Sequence, residues 1–143
     1  MDIATSTESP AGSSGKPLRI ALWVAQVIVF ILFVMSGMMK FTTPIPELSA
    51  MMPWTGQLPE KFVRFIGLVD LAGGLGILLP AATRILPRLG NWAAVGIIVL
   101  QCLAIAFHSS RGEFMVLPLN FLLLSLAIFV LWGRTRKAPI IAR

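Results

Sequence analysis

Five side chains with usable chemistry, Lys40, Asp70, Gln101, His108 and Asn120, fall inside or at the edge of long apolar runs. Asp70 needs the most explaining. It stands about eight residues, roughly 12 Å, inside the run from 62 to 82, where a bare carboxylate is costly and must be paired, protonated or hydrated. Helical spacing puts Gly67, Gly73 and Gly74 on the same face, and small residues let a second helix come close. That face therefore points into a bundle. The expected partner is Lys40, at the end of the first run, whose long side chain can reach down an apolar wall. Ser36 and Gly37 lie one turn below it on a similar face. Arg64 is a second cation, but it sits about 120° around the helix from Asp70 and is expected to anchor at the interface. A clamp that only holds helices together and a working site are both open for Asp70.

In the third run Ala94, Gln101, Ala104 and His108 recur at helical spacing, with His108 at the mouth. His108 is the only histidine and Cys102 the only cysteine. No metal site is expected, because no carboxylate cluster stands at ligand spacing, and a haem lacks an axial pair. One cysteine also excludes an intrachain disulfide or a dithiol, and Cys102 reads as a small buried filler. In the fourth run Asn120 lies about two turns from the end, with Glu113 on the same face and Pro118 between them, placed to bend the helix. Asn120 reads equally as interhelical glue. Lys40, Asp70, His108, Glu113 and Asn120 nevertheless converge from four runs on one half of the molecule, which points to a single cavity.

The elements that must carry these residues follow from composition. Of 143 residues, 57% are apolar and 13% charged, with a mean hydropathy of +0.86, which excludes an ordinary soluble domain. Four runs of about twenty residues, 20–39, 62–82, 89–107 and 114–132, are long enough to cross a bilayer. The fold class is therefore an all-α integral membrane protein, an up-down bundle of four transmembrane helices spanning residues 18–133. Short links force the last three runs to be antiparallel neighbours. The longer link at 41–60 holds four prolines and is expected to contain a short interfacial helix, starting near Pro46, that lies over the bundle mouth. Residues 1–17 read as a disordered tail and 134–143 as a basic tail.

A net charge of +6 admits nucleic acid as a partner, but the basic residues flank the runs, so the lipid bilayer is the partner they fit. Eight of the twelve, from Lys16 and Arg19 through Arg84 and Arg88 to Arg134, Arg136, Lys137 and Arg143, fall on one side. Trp23, Trp92 and Trp132 fall there too. Both termini are thus expected in the cytoplasm of a cell with a bacterial-type plasma membrane.

Three stretches, SGMMKF at 36–41, FIGLVDLAGGLGILLPAATRILP at 65–87 and FHSSRGEF with the following PLN at 107–120, resemble the DoxX-like membrane proteins in order and spacing. Members of that family usually carry Glu where this chain has Asp70, which keeps the charge and shortens the reach. The resemblance implies a four-span bundle and an association with sulfur, thiol or quinone redox systems. It makes quinone the cofactor to consider, although the sequence itself shows no flavin, haem or dithiol signature. On that basis the chain is expected to be a quinone-site or membrane-anchor subunit, an enzyme, if at all, only as an oxidoreductase subunit that depends on partners; a redox enzyme or a second copy of the chain is the expected protein partner. Two alternatives stand beside it: a small-molecule or proton-coupled transporter, and an assembly factor without ligand. The ligand-binding residues would be Lys40, Asp70, His108, Asn120, Ser36 and Gln101, with Arg64, Glu113, Gly67 and Gly74 in support.

Overall fold

A computed structural model describes residues 15–143, and within them every regular element is helical. Helix α1 runs Gly15–Thr42, α2 Ile45–Met51, α3 Glu60–Thr83, α4 Arg88–Ser110 and α5 Leu117–Trp132. The segments Gly15–Thr42, Glu60–Thr83, Arg88–Ser110 and Phe114–Lys137 are long and apolar enough to span a membrane. They form an up-down ring in which α1 and α4 each pack against both α3 and α5. Exposed Ile20, Val99, Leu103 and Phe121 look outward, as a lipid-facing surface should.

The sequence marks most boundaries. Pro59 precedes α3 and Glu60 opens its first turn, where negative charge favours the helix dipole. Arg84 ends α3 in the left-handed region (φ 58°), and Gly112, at φ 71°, allows the sharp turn between α4 and α5. Helix α1 starts at Gly15, earlier than the run at residue 20 suggests. Most of the tail expected at 1–17 lies outside the described residues.

Two local expectations are corrected. Pro118 lies in the first turn of α5, after a 3₁₀ turn at Phe114–Val116, so it starts the helix instead of bending it. Cys102 is exposed on the lipid side of α4, because buried Ile97 and Gln101 define the inward face and Cys102 falls next to it.

Glycine sets the closest contact in the ring. A Cβ at Gly37 would stand 2.7 Å from the Gly67 carbonyl oxygen, and one at Gly67 would stand 2.9 Å from the Lys40 Cβ. A Cβ at Gly74 would stand nearly as close to Phe33 and Val34, at 3.0 Å from each. Gly73 and Gly76 face Ile97 and Ala93 of α4. The small residues of α3 are therefore used inside the bundle, to hold α1 and α4 close.

Candidate functional site

The α1–α3 contact delivers the first half of the site. Lys40 Nζ lies 2.6 Å from Asp70 Oδ2, and both are buried. Ser36 Oγ donates to the same carboxylate oxygen at 3.0 Å and accepts from Lys40 Nζ at 2.6 Å. Lys40 and Ser36 are one helical turn apart and Asp70 faces the gap between them, which is why the close glycine approach matters: it shortens the distance the side chains must cover. All three members are thereby partnered, as a charge removed from water requires. No hydrogen bond reaches Asp70 Oδ1 among the described residues.

The second half comes from α4 and α5. Helix contacts give the heights: Gly67 against Lys40 and Gly74 against Phe33 set Asp70 opposite Gly37. Gly73 against Ile97 and Gly76 against Ala93 then set Gln101 level with Asp70. Gly133 against Leu22 sets Asn120 level with Ser36. Gln101 continues the inward face of Ala94 and Ile97, and Asn120 that of Leu123 and Ala127. Their amides differ from the ion pair in one respect. Gln101 Oε1 and Asn120 Nδ2 are buried without a hydrogen-bond partner among the described residues. One is an acceptor and the other a donor, and each unmet group costs on the order of 1–3 kcal/mol.

His108 and Glu113, expected in the same cluster, belong to a layer above it. His108 Nδ1 lies 2.6 Å from Glu113 Oε2, and Arg111 Nε donates to Glu113 Oε1 at 2.9 Å. The His108 hydrogen bond, assisted by Arg111, holds the Glu113 carboxyl below the ordinary carboxylate range despite some opposing desolvation. Arg111 also bonds Gln57, which ties the α4–α5 turn to the first long link.

Trp54 joins the two layers. Its ring lies edge-on to Phe107 and His108 and 6.0 Å from Lys40 Nζ. The link over the bundle mouth thus holds a short helix, α2, followed by a 3₁₀ turn at Pro53–Gly56, but several of its side chains turn inward instead of lying on the membrane surface as an interfacial helix would place them. Leu48 and Thr55 are fully buried and Trp54 turns in toward the ion pair, leaving exposed Met51 to face outward. The proline-rich link folds down because its apolar groups find partners inside the mouth.

Arg64 does more than anchor at an interface. Nη1 donates at 2.7 Å to the carbonyls of both Lys40 and Thr43, while Glu60 accepts from Nη2 at 3.0 Å. These carbonyls lie in the last turn of α1 and just past its end, where helix acceptors are otherwise free. Arg64 therefore fixes the backbone that carries Lys40.

A second polar group, at the opposite end, is absent from the sequence reading. Gln26 Nε2 donates to the Ile77 carbonyl at 2.7 Å, and Gln26 Oε1 accepts from Arg134 Nε and Nη2 at 2.9 and 2.7 Å. Arg134 is 5% exposed, so it is part of the bundle and not of a solvated basic tail. The chain continues past Trp132 as a π-type turn, Gly133–Lys137, and Ala138 is buried as well. A polar Gln26 amid the first apolar run was the available signal.

A sequence profile of the DoxX-like family matches residues 24–130, most of the chain and all of the polar layer described above. No curated protein and no solved structure matches. The chain belongs to the DoxX-like family.

Proposed function

We propose that this DoxX-like membrane protein uses the polar layer formed by Ser36, Lys40, Asp70, Gln101 and Asn120 to bind the head of a small amphipathic molecule of the quinone type, as a ligand-site or anchor subunit of a membrane redox system. The observation that carries it is the pair of orphaned atoms, Gln101 Oε1 and Asn120 Nδ2, at the level of a buried ion pair. A clamp between helices would be expected to satisfy itself, as Ser36, Lys40 and Asp70 do. A ligand offering one acceptor and one donor would complete both amides.

The donor set fits such a head. Asn120 would donate to a ring oxygen and Gln101 would accept from a ring hydroxyl, so the hydroxylated form meets both needs. Asp70, with Oδ1 free and Lys40 and Ser36 holding Oδ2, is placed to take or return a proton. Trp54 and Leu48 limit access of water from the cap side. A quinone would supply two-electron redox chemistry; everything else here belongs to the chain.

The test is ligand retention. Protein extracted in mild detergent should carry quinone detectable by mass spectrometry, and Gln101→Leu or Asn120→Leu should lose most of it while keeping helicity and melting temperature. Quinone-free parent protein, or variants that retain it, would refute the proposal. The buried Lys40–Asp70 pair beneath Trp54 also suits a gated proton path. Proton-coupled flux in liposomes that Asp70→Asn abolishes would favour that transporter reading.

A further inference from the structure

At the end of the bundle that carries residues 15–19 and 133–143, a cavity of about 330 Å³ opens between α1, α4 and α5. Gln26, Arg88, Asn91 and Arg134 line it, and Pro139 and Ile140 form one wall. Arg134 is the unusual member. Its guanidinium is buried and lies 4.9 Å from the Trp23 ring centre, yet all its acceptors are neutral: Gln26 Oε1 takes two N–H groups and the Ala138 carbonyl takes a third at 3.3 Å. A guanidinium has five N–H groups, so two remain, one on each terminal nitrogen.

No carboxylate pairs with Arg134 among the described residues. Asp70 is bound to Lys40, while Glu60 and Glu113 sit at the cap end with Arg64, His108 and Arg111. Arg19 lies near enough to add repulsion, and Arg88 opens into the same cavity. A buried cation that lacks a counter-charge is strongly destabilising. Gln26 is in turn fixed by the Ile77 carbonyl, so the guanidinium is held in one orientation with its spare donors available. A planar fork of this kind matches the paired oxygens of a phosphate.

We infer that this cavity binds a phosphate oxyanion through Arg134 and Arg88, the natural source being the head group of an anionic phospholipid. The location suits a lipid, because Leu89, Trp92 and Trp132 expose apolar surface at the same end. Asn91 adds an amide at the rim. The site is separate from the polar layer, since Gln26 and Lys40 are about 21 Å apart along α1.

The experiment measures melting temperature and native mass spectra of the full chain in phosphatidylcholine nanodiscs, with and without phosphatidylglycerol, and in neutral detergent with inorganic phosphate. Phosphatidylglycerol should raise the melting temperature and remain bound. Arg88→Gln should weaken retention about fivefold, as expected for one arginine at a membrane surface, whereas Arg136→Gln, an exposed charge that does not line the cavity, should have little effect. Arg134→Gln should abolish retention, and Arg88→Gln keeps the test decisive if that variant fails to fold. Stabilisation by inorganic phosphate alone would keep the oxyanion site and make a free anion its source. Equal losses in the Arg88 and Arg136 variants would overturn the inference, as would stabilisation by neither phosphatidylglycerol nor inorganic phosphate.

Discussion

At the scale of single residues, the Lys40–Asp70 pair shows what burial demands of charge. Both groups are removed from water and joined at 2.6 Å, with Ser36 completing the contact. Removing one partner strands the other, at a cost of about 3–5 kcal/mol, whereas removing both can be nearly neutral. Asp70→Asn and Lys40→Met should each lower the melting temperature sharply in detergent, and the double variant should melt above at least one of the singles. Additive losses would show that the two groups act independently. Glu113 makes a second case, nearer to water. Its carboxyl is held below the ordinary range by His108 and Arg111, so its contribution is present at neutral pH and is lost as pH falls through that lowered value. The cap should loosen only in acid, once pH has fallen below the ordinary glutamate range. Trp54 fluorescence followed during acid titration should report it, and Glu113→Gln should flatten the change while Glu47→Gln does not. The fluorescence comparison should be made against a Trp-substituted background in which Trp54 alone remains.

At the scale of elements, backbone proximity decides which side chains can meet. Gly37 and Gly67 are where α1 and α3 come closest backbone to backbone, and added methyl groups there would run into backbone atoms that cannot move aside. Gly37→Ala or Gly67→Ala should cost on the order of 1–3 kcal/mol. Gly96→Ala, where nothing lies within 4 Å, should be neutral or slightly stabilising in the same helical protein. Equal effects at the three positions would mean that α1 and α3 are not held by this contact. The sequence made the α1–α3 meeting legible, because Asp70, Gly67 and Gly74 share a helical face and a lone carboxylate needs a cation. It did not make Trp54 legible. Interfacial helices and inward-folding caps have similar apolar composition, and only the shape of the bundle mouth distinguishes them. Arg134 was hidden for a related reason: a basic residue just beyond an apolar run reads as a tail until a partner inside the run, Gln26, is known to face it.

At the scale of the whole molecule, charge and polarity are divided between the two ends of the ring. The cap end holds the paired acids, the polar layer and the His108–Glu113 clasp. The other end holds Arg19, Arg84, Arg88, Arg134, Arg136 and Lys137 without a single paired acid among the described residues. Such asymmetry would orient the protein with its basic end in the cytoplasm, since positively charged segments resist translocation. The prediction can be tested with single cysteines in a Cys102→Ser background, a needed change because Cys102 is exposed. Position 141 is preferable to 138 for the basic end, as Ile141 is 80% exposed whereas Ala138 is buried. Met115, 94% exposed, serves the cap end. Met115→Cys should react with an impermeant maleimide in intact cells, and Ile141→Cys only after the membrane is opened. The reverse pattern would place the polar layer on the cytoplasmic side and the basic cavity outside. That outcome would also remove the cytoplasmic-leaflet lipids as the ready source of a phosphate for Arg134, so the topology measurement bears on both sites at once.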